Sequence, residues 1–135
     1  MFALNTRFLV ADDMPTMREL VKSQLRAMGY KNITEANDGL EALQKLAQAF
    51  ESGNPIDIVI SDWNMPKMTG LEFLKTVRSH KEFSQIPFIL LTSETEKDQV
   101  TEAILSGVSQ YVVKPFSGKA FEEKLKLVWA KYNKP

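Results

Sequence analysis

The sequence predicts an α/β fold, a doubly wound five-stranded parallel sheet covered by five helices. Two observations carry that expectation. Short apolar runs at residues 8–11, 33–36, 56–61, 87–91 and 111–113 alternate with stretches whose apolar residues recur at helical spacing. The central run, Ile56-Asp57-Ile58-Val59-Ile60-Ser61-Asp62, is rich in β-branched residues, as suits a strand buried on both faces. Strands that alternate with helices call for a parallel sheet with right-handed crossovers.

Size and composition narrow the options further. The chain has 135 residues, so residues 1–135 are expected to form a single domain with its core at about 7–132. Lys plus Arg and Asp plus Glu both total 17, which leaves no net field to attract nucleic acid or an anionic membrane. With no cysteine, disulfides, thiolate metal sites and thiol nucleophiles are excluded. Residues 1–7 lack the apolar run of a signal peptide, and no stretch approaches the roughly 20 apolar residues of a membrane span. A cytoplasmic monomer is the expected state. Neither a Walker loop nor a dinucleotide fingerprint is present, so direct use of ATP is not expected.

The elements follow in order. The first strand, 8–11, stops at Asp12-Asp13. Pro15 suits the first turn of a helix, where a missing N–H costs nothing. That helix carries Met17, Leu20, Val21, Leu25 and Met28 as its apolar stripe and closes at Gly29. A weak second strand, 33–36, leads to Asn37-Asp38-Gly39, with Asp38 as N-cap of a helix whose stripe is Leu43, Leu46, Ala47 and Phe50. Ser52-Gly53-Asn54-Pro55 breaks the chain before the central strand. Leu71, Leu74 and Val77 give a short third helix. Strand four, 87–91, ends at Thr92. Thr95 and Asp98 resemble the start of a helix that turns Val100, Ala103 and Ile104 inward and ends at Gly107. Strand five, 111–113, ends at Lys114-Pro115. Ser117 can cap the last helix, with Phe121, Leu125, Val128, Trp129 and Tyr132 as its stripe.

The polar residues Asp12, Asp13, Asp62, Thr92 and Lys114 all stand at carboxyl ends of strands, the edge where open α/β sheets bind ligands. Alternation alone fits several strand orders. In the flavodoxin-like order 2-1-3-4-5, the expected one, strands one and three are neighbours, and these residues surround one crevice. Three carboxylates crowded together raise one another's pKa unless a cation lies among them. Oxygen ligands without His or Cys point to Mg²⁺. Lys114 and Thr92 then suit an anion, as an ammonium and a hydroxyl donor. A carboxylate nucleophile beside such groups is an arrangement for forming an aspartyl phosphate.

The acidic pair Asp12-Asp13, the segment Asp62-Trp63-Asn64-Met65-Pro66-x-Met68-x-Gly70, Thr92, and the segment Tyr111-Val112-Val113-Lys114-Pro115-Phe116 together resemble the receiver domains of response regulators. Within that family the likeness is nearest to the single-domain chemotaxis regulators of the CheY type, and it extends over about residues 7–132. The resemblance implies that Asp62 is phosphorylated by a histidine kinase. It implies that Asp13 and Asp62 ligate Mg²⁺ with the backbone carbonyl of Asn64, and that Asp12 acts through a metal-bound water. Lys114 would pair with the phosphoryl group, Thr92 would be the switch hydroxyl, and Tyr111 the aromatic that swings inward with it. A cis Lys114–Pro115 bond is also implied. Such a domain promotes only its own phosphotransfer and dephosphorylation, so it is not an enzyme with an independent substrate. Asn64 and Glu94, two residues beyond Asp62 and Thr92, would tune the phosphoryl lifetime and the access of a dedicated phosphatase.

Leu127 falls off the inward stripe of the last helix. With Lys97, Tyr111, Val113 and Lys124 it would lie on the helix-four, strand-five, helix-five surface that the family uses for partners. A short amphipathic segment of the flagellar motor switch is the expected occupant. The rival readings are a receiver that serves as a phosphate sink or acts on a non-flagellar partner, a Mg²⁺-dependent aspartyl-phosphate phosphatase, and a flavodoxin-like cofactor carrier. The phosphatase would want a second acid two residues after the nucleophile, where this chain has Asn64. The carrier is disfavoured by acids that would repel a flavin phosphate. His80, the only histidine, lies in a polar connection and is expected to be a plain surface residue. Met14-Pro15, Lys67, Thr69 and a longer 50–55 connection depart from the nearest pattern, the last of these far from the crevice.

Overall fold

Each strand of the sheet is followed by a helix that returns over one of its faces. The computed structural model describes residues 1–93 and 97–132, with residues 97–99 described in backbone alone. The elements are β1 (Arg7–Ala11), α1 (Pro15–Ala27), β2 (Asn32–Ala36), α2 (Gly39–Glu51), β3 (Ile58–Asp62), α3 (Gly70–Ser79), a single 3-10 turn (Lys81–Phe83), β4 (Phe88–Ser93), α4 (Lys97–Leu105), β5 (Gln110–Lys114) and α5 (Gly118–Tyr132). All strand pairs are parallel, in the order β2-β1-β3-β4-β5. The expected order is therefore the observed one.

Two apolar layers sandwich the sheet, because successive side chains of a strand point to opposite faces. Leu9, Val59, Phe88 and Leu90 pack against Ala42 and Leu46 of α2, Phe73, Leu74 and Val77 of α3, and Ala103 of α4. Phe8, Val10, Ile58, Ile60, Ile89 and Leu91 pack against Val21 and Leu25 of α1 and Phe121, Leu125 and Val128 of α5. Every residue of β3 is buried, which is why its sequence reads as a continuous β-branched run.

Local chemistry sets the helix boundaries. Asp38 caps α2, its Oδ1 accepting from the Glu41 N–H at 2.7 Å. Ser117 Oγ accepts from the Ala120 N–H at 3.0 Å at the start of α5. Thr69 and Glu72 form a reciprocal capping box that opens α3, a sequence signature the apolar stripe alone passes over. The stripe expected for α3 also omits Phe73, which is fully buried. The 3-10 turn, in a stretch expected to be a polar connection, buries Phe83. The expected start of α4 at Thr95, with Asp98, lies outside the described residues.

Several expected core positions face solvent. Leu20, Ile104 and Trp129 are exposed, while Val21, Ala103 and Val128 beside them are buried. Adjacent helical residues point about 100° apart, so only one member of each such pair can face the sheet. Phe50 and Tyr132, in the last turns of their helices, are likewise exposed.

Candidate functional site

The register of the sheet assembles the polar residues. Ala11 of β1 lies opposite Ser61 of β3, so Asp12 and Asp62, the next residue along each chain, come side by side at the carboxyl edge of the sheet. Asp62 pairs with Leu91, Thr92 with Val113, and Ser93 with Lys114, which brings the remaining groups to the same edge. One carboxylate oxygen from each of Asp12, Asp13 and Asp62 lies within 4.8 Å of the others. Lys114 Nζ donates to Asp62 Oδ1 at 2.5 Å and stands 3.9 Å from Asp12 Oδ2. The Lys114–Pro115 bond is cis.

Burial makes this cluster energetically unusual. Asp12, Asp62 and Thr92 are all buried, whereas Asp13 reaches solvent. Burial pushes the Asp12 carboxyl up to about 6, against the opposing effect of the Met14 N–H, which donates to its Oδ1 at 2.9 Å, and the negative charge of Asp62 pushes it further. The Asp62 carboxyl is also raised, chiefly by burial, with Lys114 acting in the opposite sense. Among the described residues, Asp12 Oδ2 and the Thr92 hydroxyl are buried without a hydrogen-bond partner. A buried acceptor left unpaired is costly unless something else engages it. Oxygen ligands this close, one of them orphaned, fit a hard divalent cation such as Mg²⁺.

The β3–α3 connection is folded tightly against the cluster. Gly70 N–H donates to the Trp63 carbonyl at 2.8 Å, and a Cβ at Gly70 would come within 2.1 Å of the Asp62 carbonyl oxygen. On the other side, a Cβ at Gly39 would meet the Met68 carbonyl at 2.5 Å. Lys67, at φ 67°, places its ammonium 3.8 Å from Asp38 Oδ2. Close approach therefore requires both glycines, a requirement the Asp-Gly and Thr-Gly pairs hint at but do not reveal.

Of the other residues singled out, Tyr111 is half-buried on β5 with Lys124 Nζ 5.0 Å above its ring. Val113 is half-buried and Leu127 is 55 % exposed. Asn64 is exposed in the β3–α3 connection. Glu94 and the side chain of Lys97 lie outside the described residues. His80 is on the surface, its Nδ1 2.8 Å from the Thr76 carbonyl. Reading the sequence missed Arg18, whose Nη1 donates to the Asp12 carbonyl at 2.6 Å. Nothing in the spacing of α1 marks it, since the contact depends on how that helix packs.

The sequence pattern of the response regulator receiver domain matches residues 8–126. This chain belongs to the receiver-domain family. It is similar to a chemotaxis protein CheY of Pseudomonas aeruginosa, with 40% identity over 127 residues covering 94% of this chain and 98% of that protein. It is also similar to the chemotaxis protein CheY-3 of Vibrio cholerae, with 41% identity over 121 residues covering 90% of this chain and 89% of that protein. Among solved structures, the chemotaxis response regulator CheY4 of Vibrio cholerae matches with a TM-score of 0.81 and 35% identity, over 92% of this chain and 98% of that one. The receiver described here is thus CheY-like in sequence and in fold, and its acidic cluster is compatible with Mg²⁺ binding. Among the described residues no helix is long and apolar enough to cross a membrane.

Proposed function

We propose that this receiver, taken as a single domain, accepts a phosphoryl group on Asp62 and thereby switches its affinity for a protein partner. The observation that carries the reading is the contact between Lys114 and Asp62 at 2.5 Å, set beside the Asp12 and Asp13 carboxylates and the unpartnered Thr92 hydroxyl. Receiver domains take phosphate from histidine kinases, which names the donor class. A carboxylate oxygen of Asp62 attacks the phosphorus of a phosphohistidine; the P–O bond forms as the P–N bond breaks, and the imidazole leaves. Lys114 then balances charge on the phosphoryl oxygens, and the Thr92 hydroxyl gains an acceptor. Asp12, Asp13, Asp62 and the Asn64 carbonyl would hold Mg²⁺, which supplies positive charge to offset the carboxylates and the phosphoryl oxygens.

New acceptor oxygens beside Thr92 bias the β4 end, and Tyr111 on the neighbouring strand follows, so that two surface conformations exchange population. The output surface is that of α4, β5 and α5, carrying Lys97, Tyr111, Val113, Lys124 and Leu127. Its partner is a segment of the flagellar motor switch, the reading favoured by likeness to chemotaxis proteins. Asn64 and Glu94 set the lifetime of the phosphorylated state. The chain works in the cytoplasm as a monomer and turns over no independent substrate.

The test uses acetyl phosphate with and without Mg²⁺, on the native chain and on Asp62→Asn. A Mg²⁺-dependent mass gain of one phosphoryl group that is lost in Asp62→Asn supports the reading; no adduct on the native chain sinks it. Trp63, buried beside Asp62, offers a fluorescence reporter of the same event. Purified motor-switch protein should then bind the phosphorylated chain more tightly than the free one, and Leu127→Asp should weaken that binding. Undiminished binding would remove the α4–β5–α5 surface from the scheme.

A further inference from the structure

Asp13 is the exposed member of the acidic cluster. Its direction must come from the backbone that carries it. The Asp12 carbonyl and the Asp13 amide belong to one planar peptide unit, so whatever holds that carbonyl also fixes the orientation from which the Asp13 side chain departs. Arg18 Nη1 donates to this carbonyl at 2.6 Å. The guanidinium is itself braced, its Nε donating to Glu35 Oε1 at 3.2 Å, while Lys22 Nζ holds the other oxygen of Glu35 at 3.0 Å. Arg18 and Lys22 are both largely covered, with side-chain exposures of 14% and 13%. Lys22 and Arg18 together keep the Glu35 carboxyl below its ordinary range, so the brace stays charged at neutral pH.

We infer that Arg18 is a positioning residue for the cation site: it clamps the Asp12–Asp13 peptide so that the Asp13 carboxylate is already aimed at Asp12 and Asp62 before any ion arrives. The inference rests on the reading of that cluster as a Mg²⁺ site. It assigns Arg18 an effect opposite in sign to that of its charge. A cation near three carboxylates repels Mg²⁺, so its removal should tighten binding if charge alone mattered. Loss of the clamp should loosen binding, because the ligand must then be ordered at a cost when the ion enters.

The experiment is an NMR-monitored titration with MgCl₂ of the native chain, Arg18→Gln, Lys22→Gln and Arg18→Lys, following amide shifts at the strand ends. Arg18→Gln is expected to weaken Mg²⁺ by about 10-fold, the lower end of what outer-shell partners of a metal site contribute. Lys22→Gln removes an equal charge but loosens only the brace behind Arg18, so it should weaken Mg²⁺ less than Arg18→Gln does, whereas charge alone would make both variants bind more tightly. In the metal-free proteins the Asp13 amide should shift most in Arg18→Gln and less in Lys22→Gln, a graded local readout that a general loss of stability would not produce. Arg18→Lys keeps the charge but not the two-bond fork, and should fall between. If Arg18→Gln does not fold, Arg18→Lys decides: weaker binding supports the clamp, native binding overturns it. Equal or tighter binding in Arg18→Gln overturns the clamp and leaves the receiver reading intact. Absence of any Mg²⁺ response in the native chain overturns both, and only that outcome touches the cation site itself.

Discussion

Two buried hydroxyls stand at opposite ends of the same sheet and are treated differently. Ser109, at the amino end of β5, accepts from the Phe88 N–H at 2.9 Å and lies 2.8 Å from the Tyr132 hydroxyl. Thr92, at the carboxyl end of β4, is buried with no hydrogen-bond partner among the described residues. The surroundings repeat the contrast. The carboxyl end gathers Asp12, Asp13, Asp62 and Lys114, with Asp12 Oδ2 in no hydrogen bond among the described residues and 3.9 Å from the Lys114 ammonium. Toward the amino end, where α2 and α3 terminate, a hollow of about 560 Å³ is lined by Leu43, Ala47, Phe50 and Phe83 together with Gln44, Glu51, His80 and Glu82, with Phe50 set edge-on to Phe83. Folding alone would favour the satisfied arrangement everywhere, since an unmade buried hydrogen bond is a net loss. The end that departs from it is the end that holds the acidic cluster.

The contrast is breakable. Gly70→Ala should have the largest effect, because a Cβ within 2.1 Å of the Asp62 carbonyl forces the β3–α3 connection off the cluster. A loss of about 3 kcal/mol is expected on denaturant unfolding; a change below about 1 kcal/mol would show that the connection has slack. Lys114→Ala should slow phosphoryl uptake from acetyl phosphate roughly 100-fold, the usual scale for removing one electrostatic contact to developing charge. Retention of the native rate would disconnect the lysine from the chemistry.

The hydroxyl pair gives a matched test. Ser109→Ala should cost about 2 kcal/mol by stranding the Phe88 N–H, whereas Thr92→Val should stay within about 0.5 kcal/mol, since no bond is lost. Equal costs would erase the distinction between the two ends.

Asp12→Asn probes the same idea through pH. The folded Asp12 carboxyl is pushed up to about 6 from an ordinary 3.8, so the folded state holds the proton more tightly than the unfolded state. Stability from this group therefore falls as pH rises through that window. Metal-free Asp12→Asn should gain about 1–2 kcal/mol at pH 7 and nothing at pH 3, read from thermal unfolding at both pH values. A loss at pH 7 would mean that the carboxylate is well compensated by Lys114. Phe50→Ala at the amino end should likewise have a small effect. Phe50 is 47% exposed, so the cost should stay near or below about 1 kcal/mol, with unchanged phosphoryl uptake.

Much of this was legible in the sequence. Alternating strand and helix patterns determine a parallel α/β sheet, because parallel strands need crossovers and buried strands need β-branched side chains. Asp12, Asp13, Asp62, Thr92 and Lys114 could be placed at strand ends because each follows directly on an apolar run, and the structure does bring them to one edge. Caps at Asp38 and Ser117 were readable for the same reason, being interactions of near neighbours. Tertiary packing decided the rest. It chose which of Leu20 and Val21, Ala103 and Ile104, or Val128 and Trp129 meets the sheet, a matter of helix rotation that a stripe leaves open within one residue. It also decided the close approach at Gly70, the orphaned oxygens of Asp12 and Thr92, and the reach of Arg18 to the Asp12 carbonyl. These are contacts between separate elements, and their chemistry depends on what burial leaves unpaired. Local spacing fixes where a side chain leaves the chain; only the assembled sheet fixes what it meets.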